Sequence, residues 1–261
     1  MKQVWVTSLD QDPAVVGALL ATAKQYGLAA DGHFWTDDLR KIAWKAPLER
    51  IADPAIAVWI IIGSIKTIPA SVGFGLTLLA LSAARLRERG PVVVWLERTG
   101  SMTAAQLPTP LQSAIILPLT SPALGAKLVA AANTPPAAPV MAPYRLAVHA
   151  HEGYGTWLEV GPAAASWAGS LVGVAPEGQI VFQGVGPAGQ LPQKAVLAYP
   201  EQGLQLRLGE TEYIAWAVRN LLTAADSHFV KIDGAPGSFL FGPYAADEDA
   251  EVFVLKTSCD P

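Results

Sequence analysis

Two carboxylates spaced two apart, Asp10 and Asp12 in "VWVTSLDQDP", directly follow a strand-like run. An Asp-x-Asp in that place is an arrangement in which one acid serves as nucleophile and the other as acid around magnesium during phosphoryl transfer. That chemistry also asks for carboxylates after a later strand, where this chain offers Glu97. The competing reading makes Asp12, beside Pro13, the N-cap of a helix. Other polar residues behind strand-like runs in the same half are Ser8, Ser64, Lys66 and Arg98. Ligands of open parallel sheets sit outside the carboxyl ends of the strands, where the strand order reverses. Ser8, Asp10, Asp12, Ser64, Lys66 and Glu97 are therefore the candidate ligand set, for a nucleotide or another small anion. A phosphoacceptor receiver is excluded, because it needs an aspartate where this chain has Gly63-Ser64.

His149-Ala150-His151 places two imidazoles on one face of a strand, a spacing zinc can use. A third ligand has to come from His228 or from the acids between Asp247 and Glu251, and the competing reading is a pair of ordinary surface histidines. Asp226-Ser227-His228 holds all three triad residue types, but sequence neighbours do not adopt triad geometry. "QIVFQGVGPAGQLP" spells a dinucleotide-type G-x-G-x-x-G after an apolar run. The fingerprint needs a following helix whose N-terminus meets the pyrophosphate, whereas "QLPQKAVLAYP" is bounded by prolines and too short for one. A wide hairpin loop is the better expectation there. Of the eight tryptophans, Trp216 stands out as a ligand wall, near Tyr213 and Asn220 on one face of an expected helix.

These residues depend on the elements that carry them. Val4 to Thr7 reads as a strand, and Asp12-Pro13 opens a helix with Val15, Val16, Leu19, Leu20 and Ala23 on one face. His33 to Trp35 suits a short strand, and Asp37 to Ile51 a mixed helical stretch. Ala57 to Ile62, Val92 to Leu96 and Ile115 to Leu117 are continuous apolar runs, as strands covered on both faces should be. Thr67 to Ala84 is an uncharged helix, and Leu124 to Ala132 another. Strands alternating with helices give an α/β, flavodoxin-like open parallel five-stranded sheet over residues 1–132.

Residues 133–143, "NTPPAAPVMAP", hold four prolines and no charge and read as a linker. Residues 144–261 then change character. Strand-like runs recur at short spacing, including Ala195 to Tyr199, and Thr211 to Ala225 follows as a helix with Ile214, Val218 and Leu221 on one side. The expectation is a mostly antiparallel α+β domain.

The first half resembles a bacterial Toll/interleukin-1 receptor (TIR) domain. "VWVTSLDQDPAVVGALLATAKQYGL" is similar to the family's opening strand, acidic turn and helix. "FWTDDLRKIAWKAPLERIADPAIAVWIIIGS" resembles its next section, and "VVVWLER" its fourth strand. Enzymatic members cleave NAD with a glutamate early in the helix after the third strand, but Ser71 to Leu78 contain no acid. The resemblance therefore implies a non-catalytic signalling or assembly module rather than an NAD-cleaving enzyme. The apolar third helix suggests a homo-oligomer through this half, or a protein partner.

Composition bounds the alternatives. The chain of 261 residues is 51% hydrophobic and 15% charged, which favours large cores over disorder. A net charge of −4 gives no basic footprint for nucleic acid or an anionic membrane. The run from Thr67 to Ala84 approaches a membrane span in length, yet its Pro69, Gly73, Gly75 and hydroxyl residues suit a buried helix. The single cysteine, Cys259, excludes a disulfide framework. With acids early in the opening residues, it points to the cytoplasm. No motif names a cofactor. Three functions are thus open: the assembly module, a nucleotide- or small-anion-binding sensor or enzyme at the strand ends, and a metal-dependent hydrolase using His149 and His151.

Overall fold

The computed structural model describes residues 1–87, 89–135, 142–244 and 251–260. The chain divides into two compact units. One comprises Met1–Leu39, Ala43–Pro139 and Cys259–Pro261, the other Arg40–Ile42 and Val140–Ser258. Much of the expected linker, residues 136–141, lies outside the described residues.

The first unit is built from β1 (Gln3–Ser8), α1 (Pro13–Gln25), β2 (Ala29–Phe34), α2 (Leu48–Ala52), β3 (Ile56–Gly63), α3 (Ala70–Leu86), β4 (Val92–Glu97), β5 (Ile115–Pro118) and α4 (Leu124–Asn133). The strands form one parallel sheet in the order β2-β1-β3-β4-β5. Alternation along each strand divides the apolar runs between two faces. Val4, Val6, Val58, Ile60, Val94 and Leu96 pack with Leu19 and Ala23 of α1 and Leu128 of α4. Trp5, Trp59 and Trp95 point the other way and are buried, and Trp59 Nε1 donates to Thr7 Oγ1 at 2.9 Å.

Helix α3 buries ten of its 17 residues within the chain. Its Gly75 lies so close to Trp35 and Trp44 that a Cβ there would come within 2.8 Å of Trp35. The apolar surface expected to seek a second copy is thus used internally. Among the described residues no helix is long and apolar enough to cross a membrane.

Two local expectations fail in this half of the chain. Asp37 to Ile51 is not one helical stretch but a short 3-10 turn, Ala43–Lys45, followed by α2. Ile42 takes a positive φ of 52° and Pro47 blocks a continuous ladder, so the chain turns to bury Trp44. The second strand begins earlier than expected, at Ala29, with Trp35 just beyond its end.

The second unit contains β6 (Tyr144–His151), β7 (Gly155–Pro162), β8 (Ser170–Val174), β9 (Gly178–Pro187), β10 (Glu201–Leu208), β11 (Thr211–Val218), β12 (Asp226–Gly234), β13 (Ser238–Pro243) and β14 (Phe253–Lys256). They form two antiparallel sheets, β6-β7-β12-β9 and β10-β11-β8-β13-β14. Tyr144 of the first meets Phe241 and Phe253 of the second at ring-centroid distances of 4.9 and 4.6 Å. Val185 of β9 clusters with Val218 of β11.

The expected helix from Thr211 to Ala225 is instead β11 and the chain beyond it. Tyr213, Ala215 and Ala217 are buried while Glu212 and Ile214 are exposed, a period of two rather than 3.6. Among its described residues this unit therefore has no helix, which replaces the α+β expectation with packed antiparallel sheets. Ala195 to Tyr199 is irregular rather than a strand.

The glycine motif is also not a hairpin loop, because Gly184 and Gly186 lie inside β9 and pair with Phe229 and Ser227. They are small because the following chain folds over them. A Cβ on Gly186 would stand 2.6 Å from Pro192, and one on Gly184 3.3 Å from it.

Candidate functional site

The strand order of the first unit reverses between β1 and β3, and an open cleft of about 480 Å³ lies beside their carboxyl ends. Asp10, Gln11 and Asp12 after β1, Ser64 and Thr67 after β3, and Arg98 and Thr99 after β4 line it. Parallel pairing in register brings these ends together: Ser8 lies opposite Ile62, and Gly63 opposite Glu97.

Arg98 is the centre of the cleft's charge. Its Nη1 donates to Asp10 Oδ2 and its Nη2 to Asp12 Oδ2, both at 3.0 Å. Asp12 also caps α1 by accepting from Val15 N at 3.2 Å. The Val15 N–H, then Arg98, hold its carboxyl below the usual carboxylate range against the opposing effect of desolvation. Two carboxylates face one guanidinium here, and the positive end of α1 is already met by Asp12.

Glu97 lies beneath the cleft, 3% exposed. One oxygen accepts from Ile65 N at 3.1 Å and Trp95 Nε1 at 3.3 Å, the other from Thr99 N at 3.0 Å. A buried carboxylate is tolerated only when hydrogen-bonded, and here its donors come from the two loops that carry Ser64 and Thr99. Those two residues join hydroxyl to hydroxyl at 2.5 Å.

The expected ligand set is therefore gathered in part. Asp10, Asp12 and Ser64 line the cleft, and Glu97 fixes its loops. Ser8 is buried and donates to Asp10 O at 2.7 Å, shaping the turn rather than facing a ligand. Lys66 is exposed outside the cleft lining, 3.8 Å from where a Gly100 Cβ would stand. Thr67 and Thr99 were not anticipated, since loop threonines carry no spacing signal of their own.

In the second unit His149 and His151 do share a face of β6, but they part in role. His149 Nε2 lies 2.6 Å from Glu159 Oε2, while exposed His151 accepts through Nδ1 from Gly153 N at 3.1 Å. Among the described residues no three metal-ligating side chains gather. Asp247, Glu248 and Asp249 lie outside the described residues.

His228 is not near this pair as a third ligand. It is fully buried between Ser170 Oγ and Gln183 Oε1, each 3.1 Å away. Ser227 and Asp226 do not join it in a triad, since Ser227 Oγ donates to Glu159 Oε1 at 2.8 Å and Asp226 accepts from Thr223. Trp216 lies on a strand, so the helical ligand wall with Tyr213 and Asn220 does not form.

Sequence reading missed Glu159 altogether. It is 2% exposed and accepts from Ser227, Gly189 N at 2.8 Å and His149. Burial pushes its carboxyl up, but these hydrogen bonds outweigh burial and hold it below the usual range. Arg145 completes the network, donating to Ser227 Oγ at 2.9 Å and to the carbonyls of Pro162, Ala224 and Asp226.

Comparison with protein-family models, with curated proteins and with solved structures finds no match to this chain.

Proposed function

We propose that the first unit is a non-catalytic sensor module that binds a small polar molecule in the cleft at the ends of β1, β3 and β4. The observation that carries this reading is the gathering of Asp10, Asp12, Ser64, Arg98 and Thr99 at the point where the strand order reverses, over loops fixed by buried Glu97. The order β2-β1-β3-β4-β5 supports a flavodoxin-like arrangement, in which ligands take this place.

The groups present suit a ligand with hydroxyls for Asp10 and Asp12 and an anionic group that competes with these carboxylates for Arg98, as a nucleotide has. Binding is proposed rather than catalysis because the carboxylates that could act as nucleophile and acid, Asp10 and Asp12, are both engaged by Arg98, and the Ser64 hydroxyl is bonded to Thr99. The TIR resemblance fits a signalling role of this kind. NAD cleavage is not part of the proposal, since the first turns of α3 carry no acid. An assembly module remains the second reading, supported by the same resemblance but not by α3, whose apolar surface is already covered.

A thermal-shift screen of the full chain against NAD, adenine and guanine nucleotides and phosphosugars tests this. A ligand bound only by the folded state adds about 2.7 kcal/mol of stability at a hundredfold excess over its dissociation constant. We expect a shift with at least one of these compounds, lost in Arg98→Ala and Asp10→Asn. No shift with any of them overturns the sensor reading and favours assembly.

A further inference from the structure

Among the described residues, the sheet β6-β7-β12-β9 has an outer face that is covered at one end and bare at the other. Pro192 lies over Gly184 and Gly186 at the covered end. At the other end, cross-strand register puts His149 opposite Trp157, Trp157 opposite Lys231 and Lys231 opposite Phe182, so four side chains stand in one row on one face. Phe182 is 52% exposed, and Tyr154 in the β6–β7 turn is 65% exposed. Trp157 and Phe182 meet edge to face, with centroids 5.8 Å apart. Trp157 Nε1 already donates to Tyr154 O at 3.0 Å, so the indole is held in place with its polar atom spent. What it presents outward is an apolar ring.

Beside this aromatic row runs a polar one. Asp233 stands two residues beyond Lys231 on the same strand, paired in register with Gln179, whose amide donates to it at 3.3 Å. Gly155, with φ 76°, contributes no side chain to that row, and the Lys231 stem occupies the space beside it.

We propose that this bare end is a carbohydrate-binding surface. It takes a neutral saccharide whose C–H face stacks on Trp157 and Phe182 while its hydroxyls meet Asp233, Gln179 and Lys231. Area argues against a stable protein partner. An aromatic side chain presents about 150–250 Å² in all, so three partly exposed rings offer on the order of 300 Å². A standard interface needs roughly 800 Å² per partner. Charge argues against nucleic acid or an anionic membrane, because Lys231 is followed two residues on, on the same face, by Asp233, on a chain of net charge −4. A ligand that is uncharged, flat on one side and rich in hydroxyls is what the two rows match.

The test is titration calorimetry of the full chain with cellohexaose, xylohexaose, maltohexaose and chitohexaose, with adenosine and phosphatidylcholine vesicles as the competing chemistries. We expect at least one hexasaccharide to bind, with affinity falling about tenfold in Phe182→Ala and in Trp157→Ala. Phe182 is exposed, so its variant keeps the fold even if Trp157→Ala does not. Asp10→Asn should leave saccharide binding unchanged, because this surface does not depend on the cleft of the first unit. Binding of no hexasaccharide at millimolar concentration overturns the proposal. So does unchanged binding in Phe182→Ala, or, in place of every sugar, binding of vesicles or of adenosine that is lost in Phe182→Ala.

Discussion

Each unit buries one carboxylate among its described residues, Glu97 in the first and Glu159 in the second, and the two are satisfied differently. Glu97 accepts from two backbone N–H groups and an indole, all belonging to β4 and the loops after β3 and β4. Its hydrogen bonds set loop positions at an open cleft. Glu159 accepts from side chains on β6 and β12 and from one backbone N–H just past β9. Its hydrogen bonds fasten three strands and a connection on the face of a sheet. One buried charge shapes a candidate site, the other holds the sheet together.

The largest expected effect follows from that difference. Glu159→Ala leaves the donors of His149, Ser227 and Gly189 without an acceptor and unfastens three strands at once, and should cost about 3–5 kcal/mol. Glu97→Ala strands the buried Ile65 N–H and Trp95 indole but unties only the loops after β3 and β4, and should cost less, about 2–3 kcal/mol. Urea titration followed by tryptophan fluorescence measures both losses. Equal losses would break the comparison and make Glu97 as much a structural fastening as Glu159.

The same contrast extends to two histidines, one half-buried and one fully buried, at intermediate cost. His33 stacks on Trp5 at 5.7 Å with neither ring nitrogen hydrogen-bonded, and burial lowers its pKa to about 4. His228 has a partner on each nitrogen, and burial lowers its pKa to about 3. Both therefore fold neutral, while the unfolded chain takes up the proton at an ordinary histidine pKa near 6.5. Stability should be level above pH ~6.5 and fall as the pH drops toward the folded values, by at most ~1.4 kcal/mol per pH unit for each group. His33, whose folded value is the higher, should stop contributing sooner as the pH falls. The window between pH ~6.5 and ~4.5 isolates the histidines, because carboxylates titrate mainly below it. Urea midpoints across that window should decline in the wild type and decline about half as steeply in His228→Gln, where only His33 remains. A flat wild-type profile would mean that both imidazoles accept a proton without loss.

How far these features were legible depends on whether their causes are local. Asp12-Pro13 announced α1, and the continuous runs at β3 and β4 announced buried parallel strands, so the residues after those strands could be named in advance. Thr211 to Val218 misled because Ile214, Val218 and Leu221 also fit a helical spacing. In the fold Ile214 is 47% and Leu221 66% exposed, and the decisive residues are Ala215 and Ala217, buried despite their high helix propensity. Tertiary pairing with β8 and β10 overrode the local preference. Gly184 and Gly186 matched a nucleotide fingerprint for a reason that lies several residues away, in the packing of Pro192. Glu159 gave no signal because its partners lie 10, 30 and 68 residues away in sequence.

The smallest effect on stability should come from the charges that are not buried. Arg98 joins Asp10 and Asp12 across a solvent-open cleft, and exposed ion pairs of this kind contribute little to folding and are screened by salt. Asp12 has a second duty as the cap of α1, and asparagine caps a helix as well as aspartate does. Asp12→Asn should therefore leave the urea midpoint nearly unchanged, while Asp12→Ala lowers it by removing the cap. Arg98→Ala should likewise fold normally yet lose any ligand found for the cleft. If Asp12→Asn proves as destabilising as Asp12→Ala, the ion pair rather than the cap holds the helix start. Arg98 would then belong with Glu97 and Glu159 as a structural charge, and the cleft would lose the group on which its anion recognition depends.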